Sequence, residues 1–447
     1  MKIAFIGGGS LTWAPELVTD LALTPEVHGA ELVLQDISAE ALARMLPLAE
    51  LISAAAQSEL RVRATTEREE ALRSADYVIF SVAIGGLKAV QADLEIPARY
   101  GVRLPVGMNV GPAGISRALR HIPATLELCR QMEAWCPDAW LINLTNPMTQ
   151  LSWAATRETG IRTIGLCHEI THFAEHIAGV LDVPPEEVWF QAAGINHLPW
   201  IVEFRVGQRD GFALLRTWLA EHGPLFFAKD MLLGTSWTSF HDRHGVKFTI
   251  FQSTGCLPGA GDRHVAEFFP HFLRPETNWG LDYGVEATTV AHRSEMYALQ
   301  AEQVQAWLSG EDKVPLRPSP EQVGPLIAAL AGGRPERVIV NIPNRGQVPN
   351  LPQGAVVECF ARVDQSGVHP EFPGPLPPFP AAVCNWHLTI MELTLEAALR
   401  GDRGLALEAL RMEPTVREWE AAEPMLNELL EANAPWLPQF TKGADPA

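Results

Sequence analysis

The sequence predicts an α/β protein, with an N-terminal doubly wound parallel sheet followed by a C-terminal α+β domain. Three observations carry this. Short apolar runs alternate with longer amphipathic stretches through residues 1–195, the pattern of βα units. The first run stops at three glycines and gives way to a helical pattern. After residue 195 that alternation is lost. The expected organisation is a Rossmann-like unit over 1–195 and a second domain over 196–447.

The elements follow in order. Lys2–Ile6 is apolar and ends at Gly7, as a buried parallel strand does. Pro15–Leu23 reads as a helix, with Pro15 suited to a first turn. Glu31–Gln35 is a strand closed by Asp36, and Ser38 can cap a helix running to Ile52. Arg61–Ala64 and Tyr77–Val82 are further strands, and Arg117–Trp135 has helical periodicity. Trp140–Leu144 runs into Thr145-Asn146-Pro147, and Arg162–Leu166 into Cys167. In the second domain, Trp200–Val206, Val338–Ile342 and Ala355–Val363 read as strands. Leu388–Arg400, Asp402–Arg411 and Ala422–Ala432 read as helices, and Gly374–Pro380 as a surface loop.

Charge and cysteine usage exclude several roles. The net charge of −19 argues against nucleic acid, whose phosphates require a basic footprint. An anionic small molecule would need a pocket more basic than the surface. The six cysteines form no C-x-x-C pair and no disulfide framework, which fits a reducing, cytoplasmic setting. The first residues enter a strand directly, leaving no expected signal peptide, and no apolar run is long enough to span a membrane.

In doubly wound sheets, ligands gather at the C-terminal ends of the strands. Gly7, Asp36, Asn146 and Cys167 all stand there. Gly7-Gly8-Gly9-Ser10 follows the first strand and opens a helix, the context a dinucleotide pyrophosphate requires, although Thr12 replaces the last glycine of G-x-G-x-x-G. Asp36 suits the ribose hydroxyls and favours NAD over NADP, since a 2′-phosphate would meet its charge. Asn143 and Asn146 offer amides for the nicotinamide ribose and substrate hydroxyls; the plainer reading is a strand-to-helix turn.

Gly165-Leu166-Cys167-His168-Glu169 and Gly194-Ile195-Asn196-His197 supply a thiol and an imidazole. Isolated cysteines and histidines are usually packing residues, and two protein ligands leave a metal unsaturated. An open site is what Lewis-acid catalysis uses. The segment from Gly259 to Glu267 sets Asp262, Arg263, His264 and Glu267 behind two glycines. It reads equally as a helix start with Asp262 as N-cap, or as a loop delivering a base and a cation.

Taken together, Ile6-Gly7-Gly8-Gly9-Ser10, Val110-Gly111-Pro112-Ala113-Gly114, Asn143-Leu144-Thr145-Asn146-Pro147, the Cys167 segment and Gly194-Ile195-Asn196-His197 resemble glycoside hydrolase family 4, the NAD-dependent glycosidases. The resemblance runs along the whole chain. It implies that NAD takes a hydride from C3 of the sugar, which acidifies the C2 proton. It implies a divalent metal, usually manganese, on Cys167 and His197, polarising the C2 and C3 oxygens. A base removes the C2 proton, the glycosidic oxygen leaves, water adds, and the hydride returns. A thiolate ligand is unusual for manganese and makes activity sensitive to oxidation.

The family's base is tyrosine in some branches and aspartate in others. Tyr77, Tyr100, Tyr283 and Tyr297 lie in no motif-like loop, so Asp262 is the expected base. Phospho-sugar members carry Asn or Asp after the cysteine and an arginine before a mid-domain Gly-Gly. Here His168 follows Cys167, and Val82-Ala83-Ile84-Gly85-Gly86 lacks the arginine. Cys-His-Glu, with the Asp262 segment and Asn341–Val348, looks most like the α-galacturonidase branch. The expected substrate is a uronic-acid glycoside, with Asn146, His168, Glu169 and Asn196 lining its site and Arg263 as the cation for its carboxylate. Glu169 would repel a uronate unless it faces hydroxyls or pairs with a cation. The resemblance also implies a homodimer or homotetramer.

Competing readings are an α-glucuronidase, α-galactosidase or α-glucosidase of the same family, a malate- or lactate-like dehydrogenase, and a non-catalytic NAD sensor. A dehydrogenase would accumulate NADH, and the loop after Ser81 lacks an arginine pair to grip a hydroxy acid.

Overall fold

Strands buried on both faces need helices on both faces, and the first half of the chain alternates accordingly. A computed structural model describes residues 1–228 and 242–441. Strands β1 (Lys2–Ile6), β2 (Glu31–Gln35), β3 (Arg61–Thr65), β4 (Tyr77–Phe80), β5 (Trp140–Asn143) and β6 (Arg162–Gly165) pair in parallel, in the order β3-β2-β1-β4-β5-β6. Helices α1 (Trp13–Ala22), α2 (Ala39–Ala56), α3 (Arg68–Leu72), α4 (Gly86–Arg99), α5 (Gly111–Trp135) and α6 (Met148–Glu158) run between them. Ile3, Phe5, Leu32, Leu34 and Ile79 pack towards α1 and α2. Their alternates Ala4, Ile6, Val33, Val78 and Phe80 pack towards α5. Ser38 caps α2 by accepting a hydrogen bond from the Ala41 N–H at 3.2 Å. Helix α5 begins at Gly111 rather than at Arg117. Pro112 fits its first turn, where an N–H has no intrahelical partner to lose.

The second half has α7 (Phe173–Leu181), β7 (Val188–Ile195), β8 (Leu198–Val206), β9 (Arg209–Asp210), α8 (Gly211–His222), α9 (Gly245–Thr254), β10 (Leu257–Pro258), α10 (Asp262–Val265), α11 (Val290–Ser309) and α12 (Val323–Leu330). It continues with β11 (Glu336–Pro343), β12 (Val356–Asp364), β13 (Gly367–Pro370), α13 (Pro378–Arg400), α14 (Arg403–Met412), α15 (Ala422–Ala432) and α16 (Pro438–Thr441). The strand expected at Trp200 starts at Leu198 and is the second arm of a hairpin whose first arm, β7, is not among the expected strands. The Pro-rich loop ends at Pro377; Pro378 and Pro380 begin α13, where a proline again sacrifices no helical hydrogen bond.

The two halves share one 13-stranded sheet. β11 pairs antiparallel with β6 through Asn341 and Gly165, and β12, β7, β8 and β10 extend the sheet antiparallel. The boundary expected at 195/196 falls in the turn between β7 and β8. Residues 229–241 and 442–447 of the expected second domain lie outside the described residues. One lateral row crosses the junction: Asn143, Gly165, Asn341, Glu358 and Gly194 are successive partners on β5, β6, β11, β12 and β7. A Cβ at Gly165 would lie 2.6 Å from Met148 Sδ and 2.9 Å from Asn341 Cβ, so this close approach of strands requires glycine.

Candidate active site

The glycine turn is held from both sides. The N–H groups of Gly7 and Gly8 both donate to Gln35 O, at 2.8 and 2.9 Å. Gly7 has φ +93°, and a Cβ there would fall 1.9 Å from Ser81 O. Asp36 receives the Gly9 N–H at 3.2 Å and the Ser38 N–H at 3.0 Å. Ser10 Oγ accepts from the Trp13 N–H at 3.1 Å, at the start of α1. Thr12, in place of the third glycine, donates to Gln300 of α11 at 2.8 Å. A helix N-terminus, a side-chain-free turn and a carboxylate at the end of β2 fit the pyrophosphate and ribose of a dinucleotide.

At the end of β5 the two asparagines part company. The Asn143 amide is committed to its own turn, donating to Thr145 O and Ser152 Oγ and accepting the Thr145 N–H. Asn146 Oδ1 is buried and has no hydrogen-bond partner among the described residues. Asn143 therefore shapes the turn, and Asn146 presents the open acceptor.

At the end of β6, Cys167 is buried. Burial pushes its thiol well up, and the Glu358 and Glu169 carboxyls push it further. Burial alone would also raise Glu169, but His264 and His168 hold it well below the usual range. Its Oε1 lies 2.9 Å from His264 Nε2, and its Oε2 accepts the Gly261 N–H at 3.3 Å. His168 sits 2.5 Å from Glu321. Burial would lower His168, but Glu321 outweighs it and pushes it up to about 9.

His197 occupies the turn between β7 and β8 with φ +65°, a backbone region uncommon for residues that carry a side chain. Burial keeps its imidazole neutral, with a lone pair to offer. Asn196, beside it, accepts from Asn109 Nδ2 at 2.8 Å and donates to Glu358 at 3.2 Å. The His197 and His264 ring centroids are 3.8 Å apart. Among the described residues no three His, Cys, Asp or Glu side chains surround one point closely enough to enclose a metal. A buried thiol and a neutral imidazole beside two carboxylates still fit a divalent cation, because its charge favours thiolate and carboxylate together.

Asp262 opens α10 rather than preceding it; Gly261 holds the N-cap position. The Asp262 carboxylate instead caps α9, accepting the Val246 and Lys247 N–H groups, each at 3.0 Å. Burial, then the nearby Asp242, raises Asp262 above the usual carboxylate range. Burial would raise Asp242 too, but Lys247 and His244 hold it well below. Arg263 gives Nε to Glu286 O at 3.1 Å and Nη2 to Pro105 O at 3.0 Å and to Thr288. Its guanidinium ties two loops to α10.

Glu358, His264, Glu321 and Asn109 belong to this cluster, and the sequence assigns none of them a role. Glu358 left a signal: it is the one charged residue within Val356-Val357-Glu358-Cys359-Phe360. His264 lay inside the Gly259–Glu267 segment. Glu321 and Asn109 come from loops with no such mark.

The description of family 4 glycosyl hydrolases matches residues 2–183, and that of the family's C-terminal domain matches 192–416. The chain is 32% identical to an α-galacturonidase of Bacillus subtilis, over 96% of this chain and 97% of that one. It is 34% identical to an α-galacturonidase of Thermoanaerobacterium saccharolyticum, over 98% of this chain and 96% of that one. A Bacillus subtilis crystal structure described as a glucosidase superposes with a TM-score of 0.88 at 32% identity, covering 96% of this chain and 99% of that one. A 6-phospho-β-glucosidase of Thermotoga maritima, solved with manganese, NAD+ and glucose 6-phosphate, superposes at 0.77 with 24% identity, covering 98% and 99%.

Proposed function

The chain belongs to family 4 of the glycosyl hydrolases, and on that premise we propose that it hydrolyses α-galacturonides with NAD and a divalent cation, manganese foremost, as cofactors. The observation that carries the substrate class is the pairing of Glu169 with His264 at 2.9 Å. A carboxylate beside Cys167 would repel a uronate if left open, and here it is engaged by the His264 ring. The similarity to α-galacturonidases supports the same reading.

Gly7, Gly8, Gly9, Ser10 and Asp36 would hold the dinucleotide, on a floor that Asn143 shapes. Cys167 and His197 would hold the cation, with Asn196 fixing the turn that aims the imidazole. When bound, NAD supplies a hydride acceptor for C3 of the sugar, and the cation a Lewis acid for its C2 and C3 oxygens. Asp262 accepts the C2 proton. Its raised proton affinity suits a base working near neutral pH. Asn146 orients a sugar hydroxyl through its open Oδ1. His168 and Glu169 line the approach, steadied by Glu321 and His264.

All six cysteines are free thiols, and the proposed role of Cys167 needs a reduced sulfur, so we place the enzyme in a reducing, cytoplasmic setting. Among the described residues no helix is long and apolar enough to cross a membrane.

The test is an aryl glycoside panel with NAD, manganese and a reductant. Galacturonide cleavage is expected, with no lasting NADH and with solvent deuterium at C2 of the product. Good cleavage of α-glucuronide, α-galactoside or α-glucoside without galacturonide would move the substrate assignment. Full-speed cleavage by nucleotide-free enzyme would remove the redox role.

A further inference from the structure

We infer that Arg117, held in place by the Asn146 backbone, binds the substrate's carboxylate. This rests on the uronide reading above and names the residue behind it.

Arg117 lies on α5 and is 6% exposed. Its Nε donates to Asn146 O at 2.8 Å, which fixes the guanidinium plane at the end of β5. Among the described residues its two Nη groups have no hydrogen-bond partner. Nη1 and Nη2 form the outer edge of the guanidinium, where two N–H donors point the same way and match a carboxylate. The same turn holds unpaired acceptors: Asn146 Oδ1, Thr149 Oγ1 and Gln150 Oε1 are all buried without a partner among the described residues. Buried polar groups are normally hydrogen-bonded, so such a cluster marks a place for a polar ligand. Its acceptors suit sugar hydroxyls and its donors suit an anion.

The local charge agrees. The charged groups acting on Arg117 are Arg120 and Arg293, which add positive charge, and Asp93, which opposes it. Asp93 is already locked in a buried ion pair with Arg120 and bonded to Ser116. Glu267, which bears on Arg293, accepts the Val106 and Gly107 N–H groups, each at 2.7 Å. Positive charge is thus in excess inside a chain whose net charge is −19. An anionic ligand offsets it.

The position joins the proposed active site. Met148, two residues beyond Asn146, donates its N–H to Asn109 at 3.3 Å, and Asn109 donates to Asn196 beside His197. Arg263, the cation expected from the sequence, has Nε and Nη2 bonded to loop oxygens. The open pair belongs to Arg117.

The experiment compares kcat/KM on aryl α-galacturonide and aryl α-galactoside, which differ in having a carboxylate or a hydroxymethyl group. In Arg117→Met, galacturonide cleavage should fall by about 100-fold or more, with galactoside cleavage changed only a few-fold. Arg117→Lys should recover part of the loss, since a point charge replaces the fork. Asn146→Asp keeps the backbone oxygen and the shape but adds a negative charge. It should raise KM for the galacturonide by more than for the galactoside, whose hydroxyl contact with Asn146 it also alters, and it serves if Arg117→Met does not fold. Equal losses on both substrates, or an unchanged galacturonide rate in Arg117→Met, overturn the assignment. A wild-type enzyme that prefers the galactoside overturns the uronide reading itself, before any variant is made.

Discussion

The glycine turn and the Cys167 cluster lie at ends of strands in the same sheet but are built by opposite means. In the parallel half, Gly7, Gly8, Gly9, Ser10 and Asp36 come from adjacent strand ends, and backbone hydrogen bonds to Gln35 fix their geometry. At the junction with the antiparallel half, Cys167, His197, Asp262 and Glu358 come from the loop after β6, a hairpin turn, a short helix and β12. Side chains hold them: Asn109 on Asn196, Asn196 on Glu358, His264 on Glu169. The first region is backbone-built, so substitution there should damage the fold together with binding. The second is side-chain-built, so substitution should damage chemistry and leave the fold.

The largest expected effect tests the second region. Cys167→Ser should lower activity on the order of 1,000-fold or more and weaken manganese binding, with a melting temperature near wild type. Assay, metal analysis and thermal scan together check this; full activity would end the assignment of Cys167 as a ligand. Asp262→Asn should lower kcat by about 100-fold to 10,000-fold, the usual range for removing a positioned base. In the wild type, kcat/KM should fall with acid as Asp262 takes up a proton, at a pH above that of an ordinary carboxylate. An acid limb at an ordinary carboxylate pH would point to another base.

The contrasting substitution is Gly7→Ala. The added methyl meets Ser81 O, and φ +93° is strained for alanine, so destabilisation of about 1–3 kcal/mol or more should accompany weaker NAD binding. Weak NAD binding with unchanged stability would break the comparison.

The smallest effect lies away from both regions. Burial pushes Glu413, after α14, up to about 7. Unfolded, it titrates near the ordinary glutamate value, so the folded state holds the extra proton between the two. Its favourable contribution is complete below the ordinary value and lost as pH rises through about 7. Glu413→Gln should remove that loss, flattening stability against pH by on the order of 1 kcal/mol per pH unit at most. Denaturation at pH values either side of the transition checks it.

Legibility in the sequence followed the same division. β1, β2 and the Ser38 cap lie where the hydrophobic pattern put them, because strand, turn and cap signals act over a few residues. The start of α5 was missed because Gly111 and Pro112 look like a loop unless the helix behind them is known. The hairpin partner β7 was missed because its pairing with β8 and β12 is invisible along the chain. Among site residues, the location of Gly7, Asp36, Asn146 and Cys167 at strand ends was readable. The pairing of Glu169 with His264, the use of Asp262 as a cap for α9, and the committed donors of Arg263 were not.

The chain by itself determined that a doubly wound sheet forms and which family it belongs to, because periodicity, glycine turns and short motifs are local properties. Tertiary structure decided which charges meet. The row from Gly165 through Asn341 and Glu358 to Gly194 depends on strand register between segments far apart in the chain. Electrostatic partners are set by distance in space, and only the folded sheet brings Arg117 to Asn146 or His264 to Glu169.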